Sequence, residues 1–369
     1  MNRFIQLHIL TPHAFSCLNR DDLNRPKTAN FGGVPRLRIS SQSLKRSWRT
    51  SDVVEAALCD HLGTRTRHVT DMYYQKMIDA GIKEENALNW LNDIMLVFEP
   101  TKKNDKQKKE GKKKVTPDTV GKTTTMVFLS KEEQDAVADL VDTLITEKRA
   151  PTEDELQLLR KNTTSVDIAL FGRMFASKPE YNVDGAVEVS NAFTVHRAIV
   201  EDDYFTAVDD INERDNESGA GMIGQQGFGA GIFYTYVNIN LEQLLKNLNG
   251  DKALAKKAIE AFVKAVLTVT PNAKQRSFAS RTAAAYALAE AGDNQPQSLA
   301  LAFLKPPAGE DPMQAAIDKL KKQYAYFVDA YADRDESGEP IRPATAELNA
   351  YNGEGSVHDI VAFAAKALD

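Results

Sequence analysis

An α+β fold built on an antiparallel sheet is the architecture the sequence predicts, and three observations lead to it. Ile5, Leu7 and Ile9 alternate with Gln6 and His8, the period of a strand with one buried face. Elsewhere the period is helical, as in Val137, Leu140, Val141 and Leu144. The two kinds of segment are intermixed, without the steady strand–helix alternation that a doubly wound parallel sheet needs.

Taken in order, the first strand leads into a polar stretch from Thr11 to Pro35, and Leu37–Ile39 reads as a short strand. Ser40 or Ser41 is a helix N-cap, and a single helix is expected to run to about Leu62, where Gly63 ends it. Residues 70–98 read as two helical pieces around Gly81. Thr124–Leu129 is a strand, and Ser130 with Glu133 forms a capping box for the helix that follows. Pro151 is expected to open another short helix. Val166, Ile168 and Leu170 alternate and read as a strand before Gly172-Arg173-Met174. Residues 186–198 are a further β segment. The glycine-rich run from Gly221 to Gly231 leads into a strand over Ile232–Ile239. Residues 252–268 carry the pattern of an amphipathic helix, Pro271–Thr282 is a basic loop, and helices at about 313–332 and 356–368 close the chain.

The 369 residues carry a net charge of −6, from 46 Lys and Arg against 52 Asp and Glu, but that charge is unevenly placed. Residues 1–50 sum to +7 and residues 101–114 to +6, whereas residues 201–217 sum to −7. The local field, not the total, decides where a phosphate backbone docks, so a polyanion partner is compatible with the acidic whole. Two cysteines, Cys17 and Cys59, are too few for a disulfide framework and lie in no metal-ligand spacing, which fits a reducing, cytoplasmic setting. The longest uncharged run, Ser218–Leu241, is rich in Gly, Gln and Asn and does not read as a membrane span. The first ten residues read as a strand rather than a signal peptide.

The segment Arg36 to Arg49 is the strongest local feature. On a helix beginning near Ser41, Gln42, Lys45 and Arg49 share one face while Leu44 and Trp48 share another. A helix N-terminus offers N–H groups and a positive dipole end to a phosphate. Arg20, Arg25, Lys27, Arg36 and Arg38 lie nearby in sequence, so the ensemble reads as a phosphate clamp; a solvated basic face over a packed stripe is the plainer alternative. Asp21 and Asp22 suggest either a carboxylate metal site or an Asx-type turn. Gly121-Lys122-Thr123 ends like a phosphate-binding loop, but Thr116 stands where the first glycine is required. Tyr204, Phe205 and Val208 sit among acids, as an apolar tip that can wedge between bases or as a solvated acidic hairpin. No metal or cofactor is implied.

Several blocks, taken together, are similar to the CasC family, the backbone subunit of the type I-E CRISPR surveillance complex Cascade. They are Cys17-Leu-Asn-Arg-Asp-Asp22, Phe31-Gly-Gly33, Arg38-Ile-Ser-Ser-Gln-Ser-Leu-Lys-Arg46, Val166 to Met174, Glu201 to Asp210, and Ala273-Lys-Gln-Arg276. The resemblance implies an RRM-like (ferredoxin-like) palm in segments 1–63, 163–195 and 229–369. It implies a mostly helical finger insertion over 64–162 and a β-hairpin thumb over 196–228. It implies a non-catalytic subunit in which Arg20, Lys27, Arg38, Ser40, Gln42, Lys45, Arg46, Arg49 and Met174 line a crRNA groove. Tyr204, Phe205 and Val208 would form the thumb wedge over a neighbouring copy. The implied partners are crRNA, target DNA, other Cascade subunits and further copies of the chain in a homohexameric helical backbone, with no membrane. Lys102, Lys103, Lys106, Lys108, Lys109, Lys112, Lys113 and Lys114 would face target DNA, an assignment that rests on charge and location. The acidic thumb is expected to meet the basic groove between neighbouring copies. A metal-dependent RNase using Asp21 and Asp22 is what a resemblance of their loop to the acidic loop of type III CRISPR backbone subunits would imply.

Overall fold

The computed structural model describes residues 1–99, 116–207 and 222–369. The lysine-rich segment and Val208 therefore lie outside the described residues. Eleven strands follow in chain order among them: β1 (Phe4–Ser16), β2 (Thr28–Phe31), β3 (Val34–Ile39), β4 (Thr64–His68), β5 (Lys122–Leu129), β6 (Val187–Val189), β7 (Ala192–Thr194), β8 (Glu201–Ala207), β9 (Met222–Asn240), β10 (Tyr286–Gly292) and β11 (Ala344–Asn349). Nine of them form one sheet in the order β11-β10-β1-β9-β7-β3-β2, with β6 and β8 also paired to β9. Every pairing in it is antiparallel, so the α+β class with an antiparallel sheet holds. The chain divides into two compact units, one of Met1–Ala57, Val187–Leu241 and Ile259–Asp369, the other of Leu58–Ala186 and Glu242–Ala258.

In the first unit β1 is central, and Leu7 pairs with Val237 of β9 on one side and Ala289 of β10 on the other. Its residues Phe4–Leu10 are all buried. The alternation therefore marks two covered faces rather than one wet and one dry. Ile9 faces a layer with Leu44, Trp48 and Val266. Leu10 belongs to the opposite layer with Tyr234, Tyr286, Phe303, Ile317 and Leu320, the last two from the helix Pro312–Tyr331. Gln6 and His8 are buried polar residues of β1.

The second unit is built on helices Glu84–Phe98 and Lys131–Glu147 with the β4–β5 pair, around Trp90, Leu91, Phe98, Val137 and Val141. The Ser130–Glu133 capping box is present in both halves. The two helical pieces around Gly81 appear as Tyr74–Asp79 and Glu84–Phe98.

Several expectations are corrected. Residues 166–171 form a helix, not a strand. Val166 to Leu170 are all buried, so the alternation marks no face, and the Ser165 carbonyl accepts the helical hydrogen bond from Ala169 N–H. The helix from Ser41 does not continue to Leu62: it stops at Arg49, and a second helix spans Asp52–Leu58. Hydroxyls make the break, because Ser51 Oγ donates to Trp48 O and accepts from Val54 N–H, capping the second helix. Pro151 opens only a turn over residues 153–156. The polar stretch contains β2, and the described part of the glycine-rich run, from Met222 to Gly231, lies inside β9. A short helix, Gln275–Phe278, interrupts the basic loop.

Candidate nucleic-acid interface

The helix Ser41–Arg49 is held on three sides. Ser40 caps it by accepting a hydrogen bond from Ser43 N–H, and Ser40 N–H itself donates to Asn19 Oδ1 at 2.9 Å. Asn191 Oδ1 accepts from Ser41 N–H at 3.1 Å and from Arg38 Nη1 at 3.3 Å. Beneath, Leu44 and Trp48 are buried; the Trp48 ring meets Phe262 edge-on at 5.8 Å, and its Nε1 donates to Val269 O at 3.2 Å. Apolar packing on one face thus fixes the direction of the others.

Gln42 and Arg46 are exposed, and Lys45 and Arg49 are half-buried. Lys45 has its ammonium held below the usual lysine range by burial, with Glu188 acting in the opposite direction. Gln42, Lys45 and Arg49 share the predicted face. Arg46 lies elsewhere, in a pocket of about 530 Å³ with Ser43, Ser47, Asn272 and Arg281. Two N–H groups of the first turn, at Ser41 and Ser43, are engaged by side chains, so the clamp rests on side-chain charge more than on a bare helix end.

Lys27 and Arg38 adjoin this helix through backbone ties, and Arg20, next to Asn19 in sequence, is bridged to Pro26. Lys27 N–H donates to Asn19 O, and Arg38 N–H to Lys27 O, each at 2.8 Å. Arg36 departs from the expectation. Its side chain is fully buried, and its guanidinium donates to the carbonyls of Phe31, Thr194 and Phe303 at 3.2, 3.0 and 2.9 Å. It cannot reach a phosphate. The Phe31-Gly-Gly33 motif belongs to the same arrangement: Gly32 has φ +64°, and a Cβ there would lie 1.7 Å from Leu304 O.

Asp21 is committed to a turn, its Oδ1 accepting from Leu23 N–H at 3.0 Å and Arg25 N–H at 2.9 Å. Among the described residues no three His, Cys, Asp or Glu side chains come together to hold a metal ion. Gly121-Lys122-Thr123 opens β5, a strand rather than a phosphate-binding helix.

β8 pairs with the start of β9 as a ribbon whose β8 residues are all exposed. Phe205 lies flat across Gly224, where a Cβ would be 2.3 Å from its ring. Tyr204 is 64% exposed and Phe205 40%. By register Tyr204 shares a face with Ile223, and Phe205 with Met222, so the apolar ribbon is twice as wide as sequence reading made it. Asp202 of β8 pairs with Arg25 of the same chain at 3.2 Å, so the acidic strand meets the basic loop within one copy at this point.

Two further residues, neither among the expected site residues, lie beside these elements. Lys274, in the left-handed region at φ +56°, donates to Gln226 at 2.9 Å, and its charge acts on Cys17 together with those of Arg20 and Asp21. Its signal was the block Ala273-Lys-Gln-Arg276. Phe15 is exposed beside Phe228, which in turn meets Phe278. It is re-aimed by a register shift between His13 and Ser16, which no sequence pattern announces. Met174 lies in the other unit, 78% exposed and next to the buried Arg173. No helix among the described residues is long and apolar enough to cross a membrane.

The model of the CT1975-like protein family, a Cas family, matches residues 5–358. No curated protein matches the chain. Among solved structures, a chain of a CRISPR RNA-guided surveillance complex, pre-nicking, is 28% identical with a TM-score of 0.76, covering 98% of this chain and 100% of its own. A chain of another CRISPR RNA-guided surveillance complex, 24% identical with a TM-score of 0.71, shares the fold over 98% of this chain and 99% of its own. The chain belongs to the CT1975-like protein family.

Proposed function

We propose that this CT1975-like family member is the crRNA-binding backbone subunit of a type I-E Cascade complex, the role of the CasC family. In this reading the nine-stranded sheet is the RRM-like palm, the 64–162 segment forms the fingers, and the β8–β9 ribbon forms the thumb. Copies assemble as a homohexamer along one crRNA in the cytoplasm and present it, without catalysis, to target DNA beside the other Cascade subunits. Met174 and the lysine-rich 101–114 segment contribute from the remaining part of the chain.

The observation that carries this reading is the helix Ser41–Arg49, anchored by Trp48, Asn19 and Asn191 so that Gln42, Lys45 and Arg49 share a face apart from the core. Where base pairing reads the sequence, the protein has to grip backbone and shape rather than base edges. Side-chain cations on a rigid element meet that requirement.

The test is direct. Purified chain mixed with crRNA forms a salt-sensitive, multi-copy assembly. Replacing Lys45 and Arg49 by Ala weakens binding equally across guide sequences and lowers the salt slope by about one per lost phosphate contact. Chain that stays monomeric and RNA-free when crRNA is supplied would sink the reading.

A further inference from the structure

A second pocket, of about 340 Å³, lies in the sheet unit on the side of β1 that carries Gln6. Its lining includes Tyr324, Phe327 and Tyr331 from the Pro312–Tyr331 helix, and the carboxyls of Glu290, Asp293 and Asp333. No lining residue is basic. None of this belongs to the clamp described above.

The Glu290 carboxyl is oriented from within the fold. Gln6 Oε1 accepts from Tyr236 Oη at 2.6 Å and from Gln297 N–H at 2.8 Å. Its oxygen is thereby saturated, so its amide N–H₂ must point away, and it donates to Glu290 Oε1. Tyr324 also hydrogen-bonds Glu290. Glu290 is 8% exposed and has no cationic partner among the described residues. The nearby arginines are committed elsewhere: Arg342 to Asp329 at 2.8 Å, Arg334 to the carbonyls of Gly338 and Asp329. A buried carboxyl without a counter-charge is costly to ionise, and burial pushes Glu290 up to about 7.

We propose that this pocket seats an arginine side chain of a protein partner, its guanidinium facing Glu290. A planar cation suits aromatic walls and a carboxyl end. Leu299, Val328 and Pro343 offer apolar surface to the methylene stem. A metal ion is the poorer occupant, because no three ligating side chains converge among the described residues. A protein source fits the rim, where Tyr331 is 65% exposed; tyrosines lining a pocket that takes an arginine are the residue types of interface anchors. The proposal does not depend on the RNA-binding reading.

The experiment titrates the full-length chain with Nα-acetyl-arginine amide by calorimetry, beside the uncharged isostere Nα-acetyl-citrulline amide and spermidine. Saturable, millimolar-range binding of the arginine compound alone is expected. Glu290→Gln should weaken it by about tenfold, as for loss of a charge-assisted hydrogen bond. Tyr331→Ala should weaken it by roughly two- to fivefold, as for an exposed cation–π contact. Tyr331 is at the surface, so this variant tests the pocket even if Glu290→Gln fails to fold. Equal binding of citrulline amide, tighter binding of spermidine, no saturable binding, or wild-type binding by Tyr331→Ala would each overturn the proposal.

Discussion

The Arg36 guanidinium donates to the Phe303 backbone carbonyl at 2.9 Å, inside the core of the sheet unit. Two other carbonyls, of Phe31 and Thr194, depend on the same side chain. Arg36→Ala would leave buried acceptors unsatisfied and a void between three chain segments. We expect a loss of about 3 kcal/mol or more in urea unfolding. Arg38→Ala, two residues on, should leave stability within about 0.5 kcal/mol while weakening RNA binding. Equal stability of the two variants would contradict the assignment.

Trp48 determines where the basic face of the clamp helix points. Trp48→Phe removes the Nε1–H donated to Val269 O and should cost about 1 kcal/mol. Trp48→Ala should cost about 3–5 kcal/mol. In a folded Trp48→Phe variant, RNA affinity should fall less than in Lys45→Ala, because the charges remain. Denaturant melts and filter binding on the same preparations decide this.

Glu133 has three tasks in the second unit: its carboxylate accepts from Ser130 N–H at 2.9 Å, Arg160 N–H at 2.9 Å and Arg173 Nη1 at 2.6 Å. Both partners of the Arg173–Glu133 pair are buried. Breaking such a pair from one side strands a charge, so Glu133→Ala should cost about 3–5 kcal/mol. The neighbouring exposed Met174→Ala should be nearly neutral for stability, and on the proposed function it reduces RNA affinity only.

Stability should depend on pH through buried groups of the sheet unit. Burial pulls the His8 and His13 imidazoles from 6.5 down to about 3 and about 4. Below about pH 6.5 the unfolded chain takes up these protons and the folded chain does not, so stability falls as pH drops. Glu290 acts with the opposite sign. Its value rises from 4.5 to about 7, so between those values the folded chain keeps a proton the unfolded chain has released, and stability falls as pH rises. The groups acting on or bonded to Glu290 are Gln6, Tyr324, Tyr234 and Tyr236, none of them cationic. His13→Gln should flatten the acid-side slope, and Glu290→Gln should remove only the opposing one. Urea melts across about pH 5 to pH 8 read both.

The β8–β9 ribbon exposes Tyr204 and Ile223 on one face. Tyr204→Ala with Ile223→Ala should leave the melting temperature unchanged and lower the size of the assembly formed on crRNA, read by light scattering. A lowered melting temperature would mean that these side chains pack within the chain.

Local patterns determined much of this protein. The Ser130–Glu133 capping box, the Ser40 cap, the Leu44–Trp48 stripe and the 252–268 helix follow from spacing and short-range hydrogen bonding, which act within a few residues and leave a trace in sequence. The blocks around Arg38–Arg46 likewise pointed to a Cas family, and the family match over residues 5–358 bears out that much. Only the tertiary structure decided what each charge does. Arg36 and Arg38 stand two residues apart in one basic run, yet one is spent on three carbonyls and the other is half-exposed, because Phe303 comes from a segment about 270 residues away. Val166–Leu170 alternates like a strand but is buried all round, and periodicity cannot separate a buried helix from a buried strand. Gln6 looked like the wet face of β1 and instead orients Glu290. Burial and long-range partners are properties of the packed chain, and no local pattern encodes them.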